Sequence, residues 1–562
     1  MEYLVFAVAM AGFVALLLIK GLYDEHKEKK ELIYRLRHHY GEWKEKKYWP
    51  EQYASIPRYY EKHPKEEQVD DITWNDLGMD DVYKRIDSTF SSAGEEMLYY
   101  MLRTPIFEEE KLQHLEDVIT YFTTHTEERI QVQLVLHKLG RTGRFSMYDY
   151  LEHLDMLGQR SNLKHWLLNI LFIPAIIFCV IEPSMGILCL VGLMLFNIIN
   201  YFKEKNEIDT YITSFVYAMK LIETAGQVLP AKEELFKEEA ELIKKHKQGL
   251  NRFKSGSFWL MSSGRMSGSG NPLDIILDYF RMVFHLDLIK FNSMLAQVRE
   301  HAHDVDMLFS IIGYFDAAIS IGAYRQSVAG EYCVPVLHAK KEAILKAEEL
   351  YHPLIENPVK NSISTKRGVL LTGSNASGKS TFLKTVALNA VFAQTIHTVL
   401  ADFYEGSYFH ICSSMALRDD LSGGESYYIV EIRAIKRILD IVAEGKNKVL
   451  CFVDEVLRGT NTVERIAAST EILRSLTGKE VICFAATHDV ELTQLLASEY
   501  ENYHFEEEIK DGDVCFNYRL LSGKATTRNA IKLLSVMGYE DKIIDNANDR
   551  AEKFMKTGQW EA

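Results

Sequence analysis

Residues Gly373-Ser374-Asn375-Ala376-Ser377-Gly378-Lys379-Ser380 fit the pattern G-x-x-x-x-G-K-[ST]. Before them, Gly368 to Thr372 (GVLLT) reads as a short buried strand; after them, Phe382 to Ala393 reads as an apolar helix. Strand, glycine loop and helix in that order make a phosphate cradle. The glycines let backbone N–H groups turn inward, and the helix N-terminus adds partial positive charge. Lys379 is then expected to contact β- and γ-phosphates and the Ser380 hydroxyl to hold Mg²⁺. A second run, Lys448 to Glu455 (KVLCFVDE), reads as a buried strand ending in two carboxylates. It would bring Asp454 to the carboxyl edge of a sheet, beside the phosphate loop and the magnesium shell. Glu455 is placed to act on water as general base. A third run, Val481 to Ala486 (VICFAA), ends at Thr487-His488. His488 there either contacts a γ-phosphate or merely caps the strand. The chemistry these residues suit is Mg²⁺-dependent hydrolysis of ATP to ADP and phosphate.

These groups need a framework. From Lys366 onward the chain alternates strand, loop and helix. Upstream it reads as helical: Asp81 to Leu102 has apolar residues at helical spacing, with Ala93-Gly94 as a close-packing point. Glu207 to His246 is a long amphipathic stretch, Ser255 to Asn271 a Ser/Gly-rich loop, and Pro272 to Val328 helical again. The expected fold class is therefore α plus α/β.

The chain has 562 residues, 47 % hydrophobic and 25 % charged, which excludes wholesale disorder and a disulfide-stapled miniprotein. Its formal net charge of −15 gives no support for non-specific nucleic-acid binding, although a local basic groove stays open. None of the seven cysteines lies in a C-x-x-C pair, so they read as reduced thiols.

Three segments are strongly apolar. Tyr3 to Ile19 carries no charge and lies near the ~17-residue lower limit for a spanning helix. It lacks a basic start and a small-residue cleavage site, so it reads as an uncleaved anchor. Trp166 to Ile181 and Met185 to Phe202 flank Glu182-Pro183-Ser184 and read as a hairpin that spans, re-enters or is buried in a core. Lys and Arg residues after the first segment, and Lys164, Lys203 and Lys205 around the hairpin, put all of these flanks in the cytoplasm. The expectation is a multi-pass protein of the cell membrane with its ATPase part cytoplasmic.

Leu421-Ser422-Gly423-Gly424-Glu425 resembles the signature of ABC-type ATPases, which implies a sandwich dimer. The short spacing from Lys379, and Val456 where a transporter has Pro, argue against a transporter. Four motifs together are similar in order and spacing to the MutS mismatch-repair ATPase family: Gly373 to Thr381, Asp419 to Glu431, Asp454 to Thr460 and Ala486 to His488. Weaker likenesses are Leu77 to Pro105, Tyr351 to Leu354, and Arg528 to Ala547. The resemblance implies a homodimer and nucleotide contacts from the whole loop, Gly373 to Thr381, Asn375 included. It further implies that Ser426 reaches the γ-phosphate across the dimer, and that Val359 to Asn361 approach the adenine. It also implies DNA mismatch repair and mismatched-DNA binding. Against that, no Phe-x-Glu precedes the helical core (Phe107-Glu108-Glu109 lies inside it), and the apolar hairpin sits where the family's lever helices begin.

The organisation expected is a transmembrane anchor at 1–22, a charged linker at 23–75 and a helical core over 76–165. A transmembrane hairpin at 166–202 and a second helical lever and core part at 203–355 follow. The ATPase domain covers 356–525 and dimerising helices 526–562. Two functions compete: an ATPase linked to DNA repair or recombination, and a membrane mechanoenzyme whose ATP-driven lever motion uses no DNA.

Overall fold

The computed structural model describes residues 2–42, 46–151, 157–158, 160–230, 234–250, 272–339, 342–374, 377–415, 427–457, 461–510, 513–524, 531, 534 and 538–557. The expected Ser/Gly-rich loop, Asn375, Ala376, Ser426, the 421–425 signature and the start of the C-terminal likeness lie outside them. The architecture is α plus α/β, in two compact units. One comprises Met1–Pro64, Ile86–Tyr100 and Asp117–Ser327; the other comprises Lys65–Arg85, Met101–Glu116 and Val328–Ala562.

The first unit is helical. Its first helix, Glu2–His38, carries the apolar segment and the following charged residues without a break. The close-packing point expected at Ala93-Gly94 is present. A Cβ on Gly94 would overlap the Asp316 carboxylate, and one on Gly313 would overlap the Ala93 carbonyl. Asp316, fully buried, accepts hydrogen bonds from the Ser91 N–H at 2.8 Å and the Ser91 hydroxyl at 2.6 Å. It thereby ties the helix containing Asp316, Ala302–Ser327, to the start of the helix Ser92–Arg103. Burial pushes its carboxyl up to about 6, against the Ser91 hydrogen bonds.

The apolar hairpin breaks where the sequence reading puts the break. Leu163–Ile170 and Phe172–Ile181 are separated at Leu171, because Pro174 has no N–H to give the Ile170 carbonyl. Glu182 is non-helical, and Pro183 opens the next helix in its first turn. That second helix does not stop near Phe202. It continues to Thr224, 42 residues in all, since no Pro or Gly lies between Leu193 and Thr224 to end it. The hairpin turns its apolar side chains outward: Val180 is 80 % exposed and Ile199 68 %. Beyond it the same helix enters the core, where Ile208, Ile212 and Phe215 are buried. The amphipathic stretch Glu207 to His246 is divided after Thr224 and resumes as the helix Lys237–Gly249.

The second unit is built on a six-stranded sheet. Its strand order is Leu521–Ser522, Tyr500–His504, Gly368–Thr372, Val481–Ala486, Val449–Asp454 and His410–Ser414; all neighbours are parallel except the first pair. The three strands read as buried are buried at every residue. Near-continuous apolar runs of this kind suit a parallel sheet covered on both faces. Cys412, Cys451 and Cys483 lie in register across three adjacent strands and act as small buried hydrophobes. A four-stranded sheet orders Val336–His338, Phe403–Ser407, Leu345–Leu350 and Asn361–Thr365. The short helix Asp71–Leu77 also belongs to this unit.

Candidate active site

The strand Gly368–Thr372 ends in Gly373, whose φ of 146° only glycine adopts without strain; an added Cβ would lie 2.8 Å from the Phe505 carbonyl oxygen. The loop closes at Gly378, φ 108°, which caps the helix Lys379–Thr395. The expected helix is therefore present, three residues longer at its start, and Lys379 belongs to its first turn. The buried Lys379 ammonium donates to the carbonyls of Gly373 at 2.8 Å and Ser374 at 2.7 Å, so its charge sits against the start of the loop. Ser374 is held by a hydrogen bond to Glu507 at 2.6 Å. The Ser377 hydroxyl is buried with no partner among the described residues.

Parallel pairing brings the other two strand ends to the same edge. The Ser380 hydroxyl donates to Asp454 Oδ2 at 2.5 Å. Glu455 follows with φ 64°, its N–H donating to the Ala486 carbonyl at 2.9 Å. His488 Nε2 stands 3.0 Å from Glu455 Oε1. A cavity of about 750 Å³ opens over these groups, within the ~300–1,000 Å³ range of small-molecule sites. Lys379, Ser380, Thr381, Asp454, Glu455 and His488 line it, as do Val359 and Asn361. The structure thus brings together every described residue singled out from sequence, except that Gly373 and Ser374 shape the loop without lining the cavity.

Several further residues at or beside the site were not singled out as site residues from sequence. Tyr518 lines the cavity, its ring against Gly378. The Asn361 amide fixes that segment by donating to the Tyr518 carbonyl at 3.0 Å and accepting the Leu520 N–H at 2.8 Å. His352 also lines it, its imidazole pushed down to about 4 by burial and by Lys384. Arg465 grips Asp489 through two hydrogen bonds, 2.9 and 2.6 Å, and so braces the residue after His488. Asp76, buried, accepts from the Ser413 hydroxyl at 2.7 Å and the Met415 N–H at 2.8 Å, 337 residues along the chain in the first case. Only the His-Pro likeness at 352–353 touched one of these beforehand.

The residues present fit a magnesium–nucleotide pair. A buried hydroxyl with no partner among the described residues, an ammonium held against the loop carbonyls, and a hydroxyl–carboxylate pair of hard oxygens are the donors such a ligand needs.

The part of the chain that carries this cavity resembles known proteins. Residues 369–555 match the family model "MutS domain V". The DNA mismatch repair protein MutS of Thermotoga maritima is 30 % identical over 276 residues, 47 % of this chain and 34 % of that protein. The MutS of Thermus thermophilus is 31 % identical over 205 residues, 35 % of this chain and 24 % of its own length. A protein named DNA mismatch repair protein MutS 2, from Haloarcula marismortui, is 32 % identical over 184 residues, 32 % of this chain and 19 % of its own. The chain spans about a third or less of the length of these relatives. The domain that carries the phosphate loop, paired carboxylates and strand-end histidine on one sheet edge is thus similar to MutS domain V, and about half of the chain is similar to MutS proteins at about 30 % identity.

Proposed function

We propose that this chain is a membrane-anchored ATPase that hydrolyses ATP to ADP and phosphate with Mg²⁺. The observation that carries the reading is the convergence of Lys379, Ser380–Asp454 and Glu455–His488 on one cavity. Lys379 and the loop N–H groups bind the β- and γ-phosphates. Ser380 and Asp454 would hold Mg²⁺, which supplies charge neutralisation at the phosphates. Glu455 takes a proton from the attacking water, and His488, 3.0 Å away, orients that carboxylate and meets the γ-phosphate. The adenine lies toward Val359 and Asn361. The family resemblance supplies the homodimer, in which Ser426 of each subunit completes the other's site.

The membrane reading rests on the outward apolar side chains of the hairpin and its basic flanks. Leu163–Ile181 and Pro183–Ile208 have mean hydropathies of 1.9 and 2.0 and are only 11 % and 17 % buried. At 1.5 Å per residue their 19 and 26 residues reach roughly 28 and 39 Å, against a ~30 Å hydrocarbon core. With the apolar start of Glu2–His38 they make three spans of the cell membrane, the ATPase unit cytoplasmic.

The relatives' names point to a role in DNA mismatch repair, and a link to DNA repair or recombination is the first reading. A specific observation favours a second. One unbroken helix, Pro183–Thr224, runs from the outward-facing hairpin into the buried core of the helical unit. Such a rod suits ATP-driven motion delivered to a membrane without DNA. ATP turnover by the purified full chain, with and without DNA and phospholipid vesicles, separates them. Stimulation by DNA, with binding that weakens steeply with salt, supports the first; lipid dependence alone supports the second. Glu455→Gln should keep ATP binding and lose turnover by at least about 100-fold. Turnover at the wild-type rate in that variant would remove the general-base assignment.

A further inference from the structure

The turn that carries Glu455 is conformationally unusual. Glu455 and Leu457 both have left-handed backbones, φ 64° and 60°, and neither is glycine. A Cβ opposes that conformation, so the surrounding structure must hold the turn in place. Three elements do so. The Glu455 N–H donates to Ala486 on the next strand at 2.9 Å. The Val456 carbonyl accepts from the Ser469 hydroxyl at 3.3 Å. The Leu457 N–H donates to Oε1 of Glu431, a buried carboxylate, 3 % exposed, on the helix Tyr427–Glu444.

Glu431 does not line the nucleotide cavity. It lines a smaller one of about 180 Å³ shared with Asp76, Asp454 and Glu455. Its neighbours on the helix explain its orientation: Ile435 and Ile438 pack with Val456 and Leu457 in one hydrophobic cluster. The helix is therefore seated against the turn by apolar contacts, and the carboxylate is delivered to the Leu457 N–H. A carboxylate acceptor makes a stronger bond than a neutral one, which suits a conformation that must be imposed.

We propose that Glu431 is a positioning residue for hydrolysis: by accepting the Leu457 N–H it holds the reversed turn that points Glu455 at His488 and the nucleotide cavity. It touches neither nucleotide nor reacting atoms. The inference rests on the reading of Glu455 as the group that activates water.

The test is steady-state ATP hydrolysis and nucleotide affinity of the full chain in detergent, for Glu431→Met, Glu431→Gln, Glu431→Asp and Glu455→Gln. Methionine fills the volume but leaves the Leu457 N–H buried and unpaired. It should lower kcat by about tenfold or more, with KM and ATP affinity changed less than about threefold. Glutamine keeps an oxygen acceptor at the same reach and should return most of the lost turnover, which a defect of packing or of site assembly would not allow. If Glu431→Met does not fold, Glu431→Asp carries the test. It keeps the charge but withdraws the oxygen by one methylene, and should show the same kcat-specific loss at about three- to tenfold. Wild-type kcat in the methionine or aspartate variant overturns the proposal, as does a glutamine variant no better than methionine. Glu455→Gln keeps the two failures apart. If it turns over normally, the general-base reading falls; if it is inactive while Glu431→Met is normal, only the role of Glu431 falls.

Discussion

Two kinds of apolar helix stand side by side in the helical unit. The hairpin helices Leu163–Ile181 and Pro183–Ile208 have mean hydropathies of 1.9 and 2.0, and Ala302–Ser327 has 1.5. By length and composition all three could cross a membrane. Yet the first two are 11 % and 17 % buried and the third 78 %. The difference lies in what the helices carry besides apolar bulk. Ala302–Ser327 has Gly313 and Gly322, where neighbouring elements approach within Cβ distance, and Asp316 and Ser320, whose side chains bond other helix ends. Of the hairpin's two glycines, Gly186 lies against the Cys179 backbone and Gly192 faces open space; its bonds to the rest of the unit include Asn169 to the Phe284 carbonyl at 2.8 Å and Asn197 to the Val283 carbonyl at 3.0 Å. Hydropathy by itself therefore does not tell the two kinds apart. The close neighbours at Gly313 and Gly322 accompany burial of the third helix inside the protein.

The largest effect should come from charging the buried helix. Ile312→Asp places an unpaired carboxylate in a fully buried site and should cost about 4 kcal/mol or more, unfolding the helical unit. Denaturant melts followed by proteolysis of that unit would register it. The matching change on the hairpin, Ile177→Asp, should leave the melt of the helical unit nearly unchanged. It should instead weaken membrane association by about 3 kcal/mol, read by flotation with vesicles. If both variants behave alike, the contrast between the helices is wrong.

A third effect is pH-dependent. Burial raises the Asp316 carboxyl to about 6 from an ordinary value of 3.8, so the folded state prefers it protonated. Its contribution is most favourable below pH ~4. It is lost as the pH rises to about 6, by up to about 3 kcal/mol, and is level above that. Melts of wild type and Asp316→Asn at pH 4.5 and 7.5 should differ in slope, because asparagine does not titrate; equal slopes would contradict the shift. The smallest pair sharpens the comparison within the hairpin. Gly186→Ala should destabilise it by about 1–3 kcal/mol through the Cys179 contact. Gly192→Ala should be neutral or stabilise by up to about 1 kcal/mol, since helix propensity is all it changes. Thermal melts in one detergent would give both signs.

Much of the α/β unit was legible in the residues. Buried strands of a parallel sheet are apolar throughout, so GVLLT, VLCFVD and VICFAA announce themselves, and so do the groups at their ends. The hairpin break at Glu182-Pro183 was equally local. The end of its second helix was not. The change from apolar to charged residues near Phe202 marks a change of surroundings, while the backbone keeps its hydrogen bonds through to Thr224. Tyr518, Arg465 and Asp489 escaped notice because nothing in their neighbourhoods distinguishes them from surface residues.

The sequence alone determined the phosphate loop, the order of strand, loop and helix around it, the carboxylates at Asp454 and Glu455, and the existence of three strongly apolar segments. Each depends on residues within a few positions of one another, where spacing and backbone propensity act directly. Tertiary structure decided which apolar helix became core. It also decided that Asp76 would hold Ser413 and Met415, and that Glu431 would bond the N–H of Leu457. Those pairings join positions from 26 to 339 residues apart. Their cost and reward are settled only when packing removes water from both partners at once, and no short stretch of chain records that event.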